Sequence, residues 1–318
     1  MSHTVVTGGC GFIGSHLVER LVRDGHRVVV YDPAPLPPGI EGIAEHVRAD
    51  ILDERRVSEV VDSADTVYHL SAMVGVDRYL ARPLDVIEVN VLGSRNVLRA
   101  VHATGAKVVM ASTSEVYGRN PAIPWAEDAD RVLGSTTADR WTYSSSKAVV
   151  EHMTYGFARQ HGVRASTVRY FNVYGPRQRP AYVVSRTIHR LLTGKPALVY
   201  DGGRQTRCFT YVADAIEATV CLADNSEADG QVFNIGSDQE TSIGEIARLA
   251  THLIGGTVSS VDTAHTLGER YEDIERRVPD VSKAKAVLGW RATTEVAEGL
   301  ATTIEWARGA RWWLALTS

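Results

Sequence analysis

The 318-residue sequence lacks several features that would assign it to a particular class of protein. Its three cysteines, Cys10, Cys208 and Cys221, show no CxxC spacing, which argues against a disulfide framework or a zinc site and is typical of reduced cytosolic thiols. No apolar run approaches the ~18 residues of a membrane span, and the N-terminus shows no signal peptide. No HExxH or similar metal-ligand cluster is present. We therefore expect a cytoplasmic protein without a metal ion or a membrane partner.

The sequence also lacks any block of five like charges, and its net charge is only −4. This argues against a polyanion-binding surface, so no nucleic-acid partner is expected. Charged residues make up 23% and hydrophobic residues 44%, which is an ordinary balance for a globular protein. The chain length allows one to three domains.

Two periodicities alternate over the first 110 residues. Short β-branched stretches such as 3–9 and 66–72 alternate with stretches of helical spacing such as 12–25 and 86–105. Continuous apolar strands between amphipathic helices indicate parallel strands covered on both faces. We therefore predict an α/β fold with a doubly wound parallel sheet of the Rossmann type.

The glycine-rich segment TGGCGFIG follows the first strand and opens the first helix. Gly8, Gly11 and Gly14 permit a tight turn and let backbone N–H groups approach a pyrophosphate at the positive end of the helix. Asp32 ends the second strand, where its carboxylate can bind the adenosine ribose and favour NAD over NADP, although a helix-capping Asp is the alternative. Asp50 ends the next apolar segment and is either an adenine contact or a surface residue.

Tyr143 and Lys147 stand at i and i+4 of a predicted helix over 143–162 and therefore share one helical face. A lysine ammonium near a tyrosine hydroxyl lowers the tyrosine pKa. The resulting phenolate can take a proton from a substrate alcohol while hydride leaves to a nicotinamide. A solvated helix face is the structural alternative.

The stretch ASTSEVYG follows a predicted central strand, so it lies at the carboxyl edge of the sheet, where ligands bind in open α/β sheets. Thr113 can hydrogen-bond the same substrate hydroxyl as Tyr143. Glu115 indicates a reaction that goes beyond plain oxidation, although an exposed strand-end glutamate is the alternative.

These motifs, together with HLSA, YSSSK, RYFNVYGPR, RCFTYV and RRVPD, resemble the extended short-chain dehydrogenase/reductase family, which includes nucleotide-sugar epimerases, dehydratases and decarboxylases. The resemblance runs from about residue 3 to 306. It implies tightly held NAD, oxidation of a sugar C4 hydroxyl, a nucleotide-sugar substrate and a homodimer formed through two helices per subunit.

The resemblance also implies a division of the chain. Residues 1–175 are expected to form the NAD-binding Rossmann domain, to which 213–235 return. Residues 176–212 and 236–318 are expected to form a smaller, interleaved α/β region that binds the nucleotide sugar.

By motif match, the resemblance implies three sets of site residues. The catalytic set is Thr113, Glu115, Tyr143, Lys147 and Arg207. The cofactor set is Gly8, Gly11, Phe12, Ile13, Gly14, Asp32, Asp50, Ile51, Leu70, Ala72, Asn90, Tyr143 and Lys147. The substrate set is Ser114, Asn172, Arg177, Arg179, Arg207, Arg277 and Asp280.

Local sequence narrows the reaction. Ser114-Glu115 and Arg207-Cys208 resemble the corresponding residues of UDP-glucuronate decarboxylases, whereas Ser114 disfavours a 4,6-dehydratase. The loop GPRQRP at 175–180 resembles that of uronate 4-epimerases, in which an arginine binds the sugar carboxylate. We therefore expect a UDP-glucuronate decarboxylase that forms UDP-xylose or its 4-keto form, with a uronate 4-epimerase or another nucleotide-sugar epimerase/dehydratase as the alternative. Arg207 is either part of the chemistry or a diphosphate clamp.

Other notable side chains are expected to have structural roles. His69, His152 and His161 match no catalytic position and are expected to pack or to face solvent. Trp312 and Trp313 are expected to pack the C-terminal tail rather than to bind a partner. Arg177 and Arg179 are equally plausible as carboxylate ligands and as solvated loop arginines.

Overall fold

The computed structural model describes residues 2–262 and 274–317. The loop-rich stretch expected before the terminal helix lies partly outside these residues. None of the helices that the structure describes is long and apolar enough to cross a membrane. Within the same residues, no group of three or more His, Cys, Asp or Glu side chains is placed to hold a metal ion.

A seven-stranded parallel sheet forms the centre of the molecule, in the order β11-β6-β5-β4-β1-β2-β3. The alternating apolar pattern of the sequence thus forms strands buried on both faces, and the predicted doubly wound α/β fold is confirmed. The strands are β1 (His3–Thr7), β2 (Arg27–Tyr31), β3 (Glu45–Val47), β4 (Thr66–His69), β5 (Lys107–Thr113), β6 (Ala165–Tyr170) and β11 (Val232–Ile235).

Helices cover both faces of this sheet. One face packs against α1 and α7 through residues such as Leu17 and Ile216, and the other packs against α2, α4 and α5 through residues such as Val57, Val97 and Val150. The helices of this part are α1 (Phe12–Arg23), α2 (Glu54–Val61), α3 (Val76–Ala81), α4 (Pro83–Thr104), α5 (Arg140–His161) and α7 (Val212–Asp224). Because β5 ends at the carboxyl edge of the sheet, the segment after it enters the cleft as expected.

Smaller sheets and five helices make up the rest of the described chain. The pairings are β10 with β7, β13 with β8, and a three-stranded sheet in the order β12-β9-β14. The strands are β7 (Val173–Tyr174), β8 (Ala197–Tyr200), β9 (Thr206–Cys208), β10 (Thr210–Tyr211), β12 (Glu240–Ser242), β13 (Val258–Val261) and β14 (Arg276–Arg277). The helices are α6 (Val183–Leu192), α8 (Ile243–Ile254), α9 (Ser282–Leu288), α10 (Val296–Gly309) and α11 (Arg311–Leu314).

The C-terminal tail packs as predicted. Trp313 is 1% exposed in a core that also includes Ile188 and Leu300, and its Nε1 donates to the carbonyl oxygen of Gln178 at 2.8 Å. Trp312 stays 37% exposed. The tail therefore contacts and supports the 175–180 loop.

The chain returns to the large sheet after the first of the smaller elements, because β11 pairs with β6. The domain boundaries drawn from the sequence stay a prediction. The strand expected over 164–175 is interrupted after Tyr170 by Asn172, whose φ is +39°. The helix expected to begin at Tyr143 begins three residues earlier, at Arg140.

Candidate active site

The glycine loop between β1 and α1 has no room for side chains. A Cβ on Gly8, whose φ is +73°, would lie 2.6 Å from the backbone nitrogen of Ser71. A Cβ on Gly14 would overlap the carbonyl oxygen of Gly8, and one on Gly11 would lie 3.1 Å from the same oxygen. The loop therefore presents bare backbone in front of the N-terminus of α1, as a pyrophosphate site requires.

Asp32 stands at the end of β2 beside this loop and is 8% exposed. Its carboxylate accepts hydrogen bonds from the backbone nitrogens of Cys10 at 3.1 Å and Ala34 at 2.9 Å. Burial raises the pKa of Asp32, and these two donors oppose the rise. The next helix begins at Glu54 and is capped by Asp53, so the helix-capping alternative for Asp32 is wrong.

The neighbouring predicted cofactor residues differ in exposure. Asp50 is exposed, and its carboxylate accepts from the backbone nitrogen of Leu52 at 3.0 Å. Ile51 is 5% exposed and lies against Gly93 of α4, where an added Cβ would come within 2.7 Å of it. The backbone of β3 and its following turn is thereby fixed at the edge of the cleft.

Asn90 is fully buried and joins three elements. Its Oδ1 accepts from the backbone nitrogen of Met73 at 2.8 Å, and its Nδ2 donates to Ser146 Oγ at 3.0 Å. It thus holds the segment after β4, which contains the partly buried Leu70 and Ala72, against the helix of the catalytic residues. Asn90 thus supports the site, and its contact with the cofactor stays a prediction.

Thr113, Tyr143 and Lys147 come together at the carboxyl edge of β5. Thr113 is the last residue of β5, and its side chain is hydrogen-bonded to that of Tyr143 from α5. One turn further along α5, Lys147 donates from Nζ to the carbonyl oxygen of Ala111 at 2.8 Å. The structure therefore assembles the group of hydroxyl, phenol and ammonium expected from the sequence.

The acidities of these groups differ from the expectation. Burial raises the pKa of Tyr143, with Tyr182 and Glu115 adding to the rise and the Thr113 hydrogen bond opposing it. The net shift is therefore opposite to the predicted direction, and an influence of the Lys147 charge on this pKa stays a prediction. Burial lowers the pKa of Lys147 to about 8, and Glu151 limits the fall.

Glu115 follows in the 3₁₀ turn Ser114–Tyr117 and forms two ion pairs. Arg277 donates to its Oε1, and Arg140 Nη2 lies 3.7 Å from its Oε2. Burial acts to raise the pKa of Glu115, but Arg277, Arg140 and Arg207 hold it below its ordinary value. The alternative of an exposed strand-end glutamate is wrong, because its side chain is only 25% exposed and carries ionic partners.

The arginines around Glu115 come from separate elements. Arg207 and Arg277 are register partners on the parallel strands β9 and β14, and each is 7% exposed. Arg140 is 8% exposed and begins α5. Three guanidinium groups therefore face one carboxylate, and this excess of positive charge suits an anionic ligand. Arg140 was missed in the sequence, where the only signal is its position three residues before Tyr143.

The comparison with known proteins agrees with this geometry. The family described as "NAD dependent epimerase/dehydratase family" matches residues 4–236. The chain belongs to this family. It is 40% identical over 96% of its length to UDP-N-acetyl-alpha-D-glucosaminuronate decarboxylase from Bacillus cytotoxicus, covering 97% of that protein. It is 36% identical over 96% of its length to UDP-glucuronic acid decarboxylase 1 from Xenopus tropicalis, covering 72% of that protein.

A solved structure of a related enzyme shows the same fold. UDP-glucuronic acid 4-epimerase from Bacillus cereus, in complex with UDP-glucuronic acid and NAD, superposes with a TM-score of 0.86. The two chains are 28% identical, and the match covers 96% of this chain and 99% of the epimerase. The predicted family and its cofactor, NAD, are thus confirmed.

The residues of this family member fit the cofactor. The loop of Gly8, Gly11 and Gly14 offers backbone N–H groups to a pyrophosphate, and the carboxylate of Asp32 stands where a ribose diol can bind. Phe12 and Ile13 form the first turn of α1 behind the loop. Contact with the cofactor stays a prediction for every residue of the predicted cofactor set.

The arginines of the 175–180 loop have different surroundings. The side chain of Arg177 is 8% exposed, and its Nη2 lies 2.5 Å from Glu19 Oε2 and 2.9 Å from His16 Nδ1, both on α1. Arg179 is 38% exposed and pairs with Asp77 of α3 at 3.0 Å. The solvated alternative is therefore wrong for Arg177, and its partners hold it on the glycine-loop helix. A role in substrate binding stays a prediction for both.

The remaining predicted substrate residues are spread along the cleft. Asn172 has a left-handed backbone, and its buried Oδ1 has no hydrogen-bond partner among the residues that the structure describes, as a ligand-binding amide would have. Ser114 is buried beside Glu115. Asp280 accepts from the backbone nitrogen of Ser282 at 2.8 Å at the start of α9. The structure gives Asp280 a turn-forming role, and its binding of the substrate stays a prediction.

The histidines have the expected structural positions. His69 is fully buried between Thr7 Oγ1 at 2.7 Å and Ser94 Oγ at 2.9 Å, and burial lowers its pKa to about 3. It therefore stays neutral and joins β4 to β1 and α4. His152 and His161 are exposed on α5.

Proposed function

We propose that the chain is an NAD-dependent decarboxylase of a UDP-linked uronate, with UDP-glucuronate or its 2-acetamido counterpart as the substrate. The observation that carries this proposal is the ionised Glu115 beside Thr113 and Tyr143, surrounded by arginines. Plain oxidation at C4 needs only the hydroxyl, phenol and ammonium groups. The additional carboxylate and guanidinium groups suit a substrate that carries anionic charge on the sugar as well as on the diphosphate. The decarboxylase names of the two relatives support the same assignment.

The chain's own residues have defined roles in this reaction. Tyr143 reacts as the phenolate, a form that the positive charge of Lys147 favours, and accepts the proton of the C4 hydroxyl. Thr113, hydrogen-bonded to Tyr143, orients that hydroxyl. Lys147 places a buried positive charge against the backbone of the strand that carries Thr113. Bound NAD would supply the acceptor and donor of hydride at C4.

The carboxylate is lost because a ketone at C4 is β to it. The C5–C6 bond breaks, CO₂ leaves, and the electron pair enters an enolate whose oxygen lies at C4. Tyr143 and Thr113 then stabilise this oxyanion by hydrogen bonding. C5 receives a proton before hydride returns to C4. Because loss of CO₂ does not require removal of the C5 proton, we assign the ionised Glu115 to orienting the sugar and supporting proton delivery from water to C5 rather than to acting as a C5 base.

A uronate 4-epimerase is the second candidate. It is favoured by the GPRQRP loop, in which Arg179 lies near the surface and pairs with the exposed Asp77. The likeness to the Bacillus cereus epimerase supports it as well. Such an enzyme would use Thr113, Tyr143 and Lys147 without loss of CO₂.

Proton NMR of the sugar distinguishes the two reactions. Purified protein is incubated with UDP-glucuronate, and in parallel with UDP-N-acetylglucosaminuronate, with and without added NAD. Pentose signals with loss of the carboxyl group support the decarboxylase. The substrate that is converted faster shows whether the enzyme prefers a hydroxyl or an acetamido group at C2. A UDP-galacturonate signal with the carboxylate retained would establish the epimerase instead.

We also propose that the protein is a homodimer formed through α4 and α5. These helices pack together and leave large apolar side chains exposed, including Leu84 at 63%, Ile87 at 45% and Val149 at 44%. Light scattering after size exclusion should give twice the chain mass, and Ile87→Glu should shift the protein to monomer. An unchanged monomer mass for the wild type would contradict the proposal.

Location in the cytoplasm is proposed from the thiols. Cys10, Cys208 and Cys221 are all free in the structure, and burial raises the pKa of each. Free, protonated thiols suit a reducing compartment. Cell fractionation with an antibody to the protein tests this, and recovery in a membrane or exported fraction would contradict it.

A further inference from the structure

Glu115 is held by two separate parts of the fold. One part is the pair of strands β9 and β14, which carry Arg207 and Arg277, and the other is α5. The helix contacts Glu115 twice, since Ser144 Oγ donates to its carbonyl oxygen at 2.7 Å and Arg140 faces its carboxylate. The position of Glu115 relative to Tyr143 therefore depends on α5.

We propose that Arg140 is a positioning residue that holds the carboxylate of Glu115 against α5 while the substrate engages Arg207 and Arg277. This inference rests on the proposed function, because it assigns Arg140 a part in that reaction. Arg140 itself acts through Glu115.

The location of Arg140 gives its guanidinium a fixed direction. It is the first residue of α5 and stands three residues before Tyr143, so both lie on the same side of the helix. Its guanidinium carbon lies 5.4 Å from the ring centroid of the buried Trp141, and Arg140 itself is 8% exposed. A guanidinium packed on an aromatic ring loses little additional freedom on pairing.

The balance of charge explains why two sets of arginines are needed. In the ligand-free chain, three positive groups surround one negative carboxylate. An anionic substrate drawn to Arg207 and Arg277 competes with Glu115 for their guanidinium groups. Arg140 on α5 then remains as the cation next to Glu115, and without it the buried carboxylate would tend to take up a proton or swing away.

The kinetic test compares Arg140→Gln and Arg140→Lys with the wild type. We expect Arg140→Gln to lower kcat by about tenfold or more with KM changed less than about threefold, because positioning rather than binding is lost. Arg140→Lys should recover part of kcat. Arg119→Gln is the matched control, since exposed Arg119 lies 6.0 Å from the same Trp141 ring. An Arg140→Gln enzyme with wild-type kcat would overturn the proposal.

The pH profile gives a readout that a merely structural role would not move. The charged and titratable groups facing Glu115 are Arg140 and Tyr143 from α5, Arg207 from β9 and Arg277 from β14. Removing one cation raises the pH at which Glu115 takes up a proton, so the acid limb of kcat should move to higher pH in Arg140→Gln. An acid limb at the wild-type position would contradict the proposal.

A third measurement does not need turnover. In urea unfolding, Arg140→Gln and Glu115→Gln should each lower the midpoint urea concentration. The double variant should lose less than the sum of the two single losses, because both substitutions break the same pair. If the wild type converts neither uronate, the proposed function fails, and coupling between the two residues still decides whether Arg140 holds Glu115. Additive losses would overturn the pairing even in an active enzyme.

Discussion

Lys147 donates from its buried Nζ to the carbonyl oxygen of Ala111 at 2.8 Å, two residues before Thr113 on the same strand. The ammonium is therefore hydrogen-bonded to the backbone of the strand that carries Thr113. It supports Tyr143 through its positive charge and by fixing β5. Burial of this charge is unfavourable for folding, as the lowered pKa of Lys147 shows. The site thus carries a cost in stability that its chemistry requires.

Substitution of Lys147 by Met should separate activity from stability. Turnover should fall by about 10²-fold or more, because the cation next to the phenol is lost. The melting temperature at pH 7 should stay the same or rise, since Met fills the buried space without a charge to desolvate. Differential scanning calorimetry and the NMR assay measure the two effects. A large fall in melting temperature would mean that the bond to Ala111 matters more than the buried charge.

The same lysine should shape the alkaline limb of the pH profile. Its pKa is about 8 in the folded chain, below the ordinary lysine value of 10.5, so the ammonium is lost as pH rises through 8. Turnover should therefore decline above about pH 8, as Tyr143 loses its cationic neighbour. Over the same range stability should rise with pH, because between 8 and 10.5 the unfolded chain binds a proton that the folded chain does not. A decline in stability across this range would contradict the assignment.

The glycine loop should not tolerate a methyl group at Gly14. A Cβ there would overlap the carbonyl oxygen of Gly8, which is backbone and cannot move aside cheaply. Gly14→Ala should therefore purify with little bound NAD, measured by absorbance after denaturation. Gly309→Ala is the matched control, because it also lies in a helix and meets no atom within 4 Å. Equal NAD content in the two variants would show that the loop has another way to adjust.

Much of the fold and part of the site could be predicted because the signals are local. Periodicity alone indicates the parallel sheet, and the spacing of Tyr143 and Lys147 places both on one helical face. Helical spacing also indicates helices over 241–256 and 295–308, and α8 and α10 begin and end within about two residues of these bounds.

The rest depends on contacts between distant segments. Arg140 reaches Glu115 only because α5 begins one turn before the predicted start. Arg207 and Arg277 become neighbours only through the register of β9 and β14, seventy residues apart in the chain. The direction of the Tyr143 pKa shift was missed for the same reason, since the desolvation of a phenol depends on everything packed around it.

A buried ion pair next to the site should contribute strongly to the stability of the fold. Arg169 of β6 and Glu151 of α5 form two hydrogen bonds of 2.6 and 2.9 Å, and both side chains are less than a tenth exposed. Glu151 also accepts from Ser112 Oγ at 2.5 Å, next to Thr113. The pair therefore joins the strand and the helix that carry the catalytic residues.

Glu151→Gln should lower the unfolding free energy by about 3–5 kcal/mol, because it leaves the buried charge of Arg169 without its counter-ion. Urea unfolding followed by circular dichroism measures this loss. Glu59→Gln is the matched control, since it breaks an exposed pair with Arg56 and should leave the curve nearly unchanged. Turnover should fall as well, because Glu151 also restrains the lowering of the Lys147 pKa. A Glu151→Gln variant as stable as the control would mean that Tyr117, whose hydroxyl lies 2.6 Å from Arg169 Nη1, compensates the charge without the carboxylate.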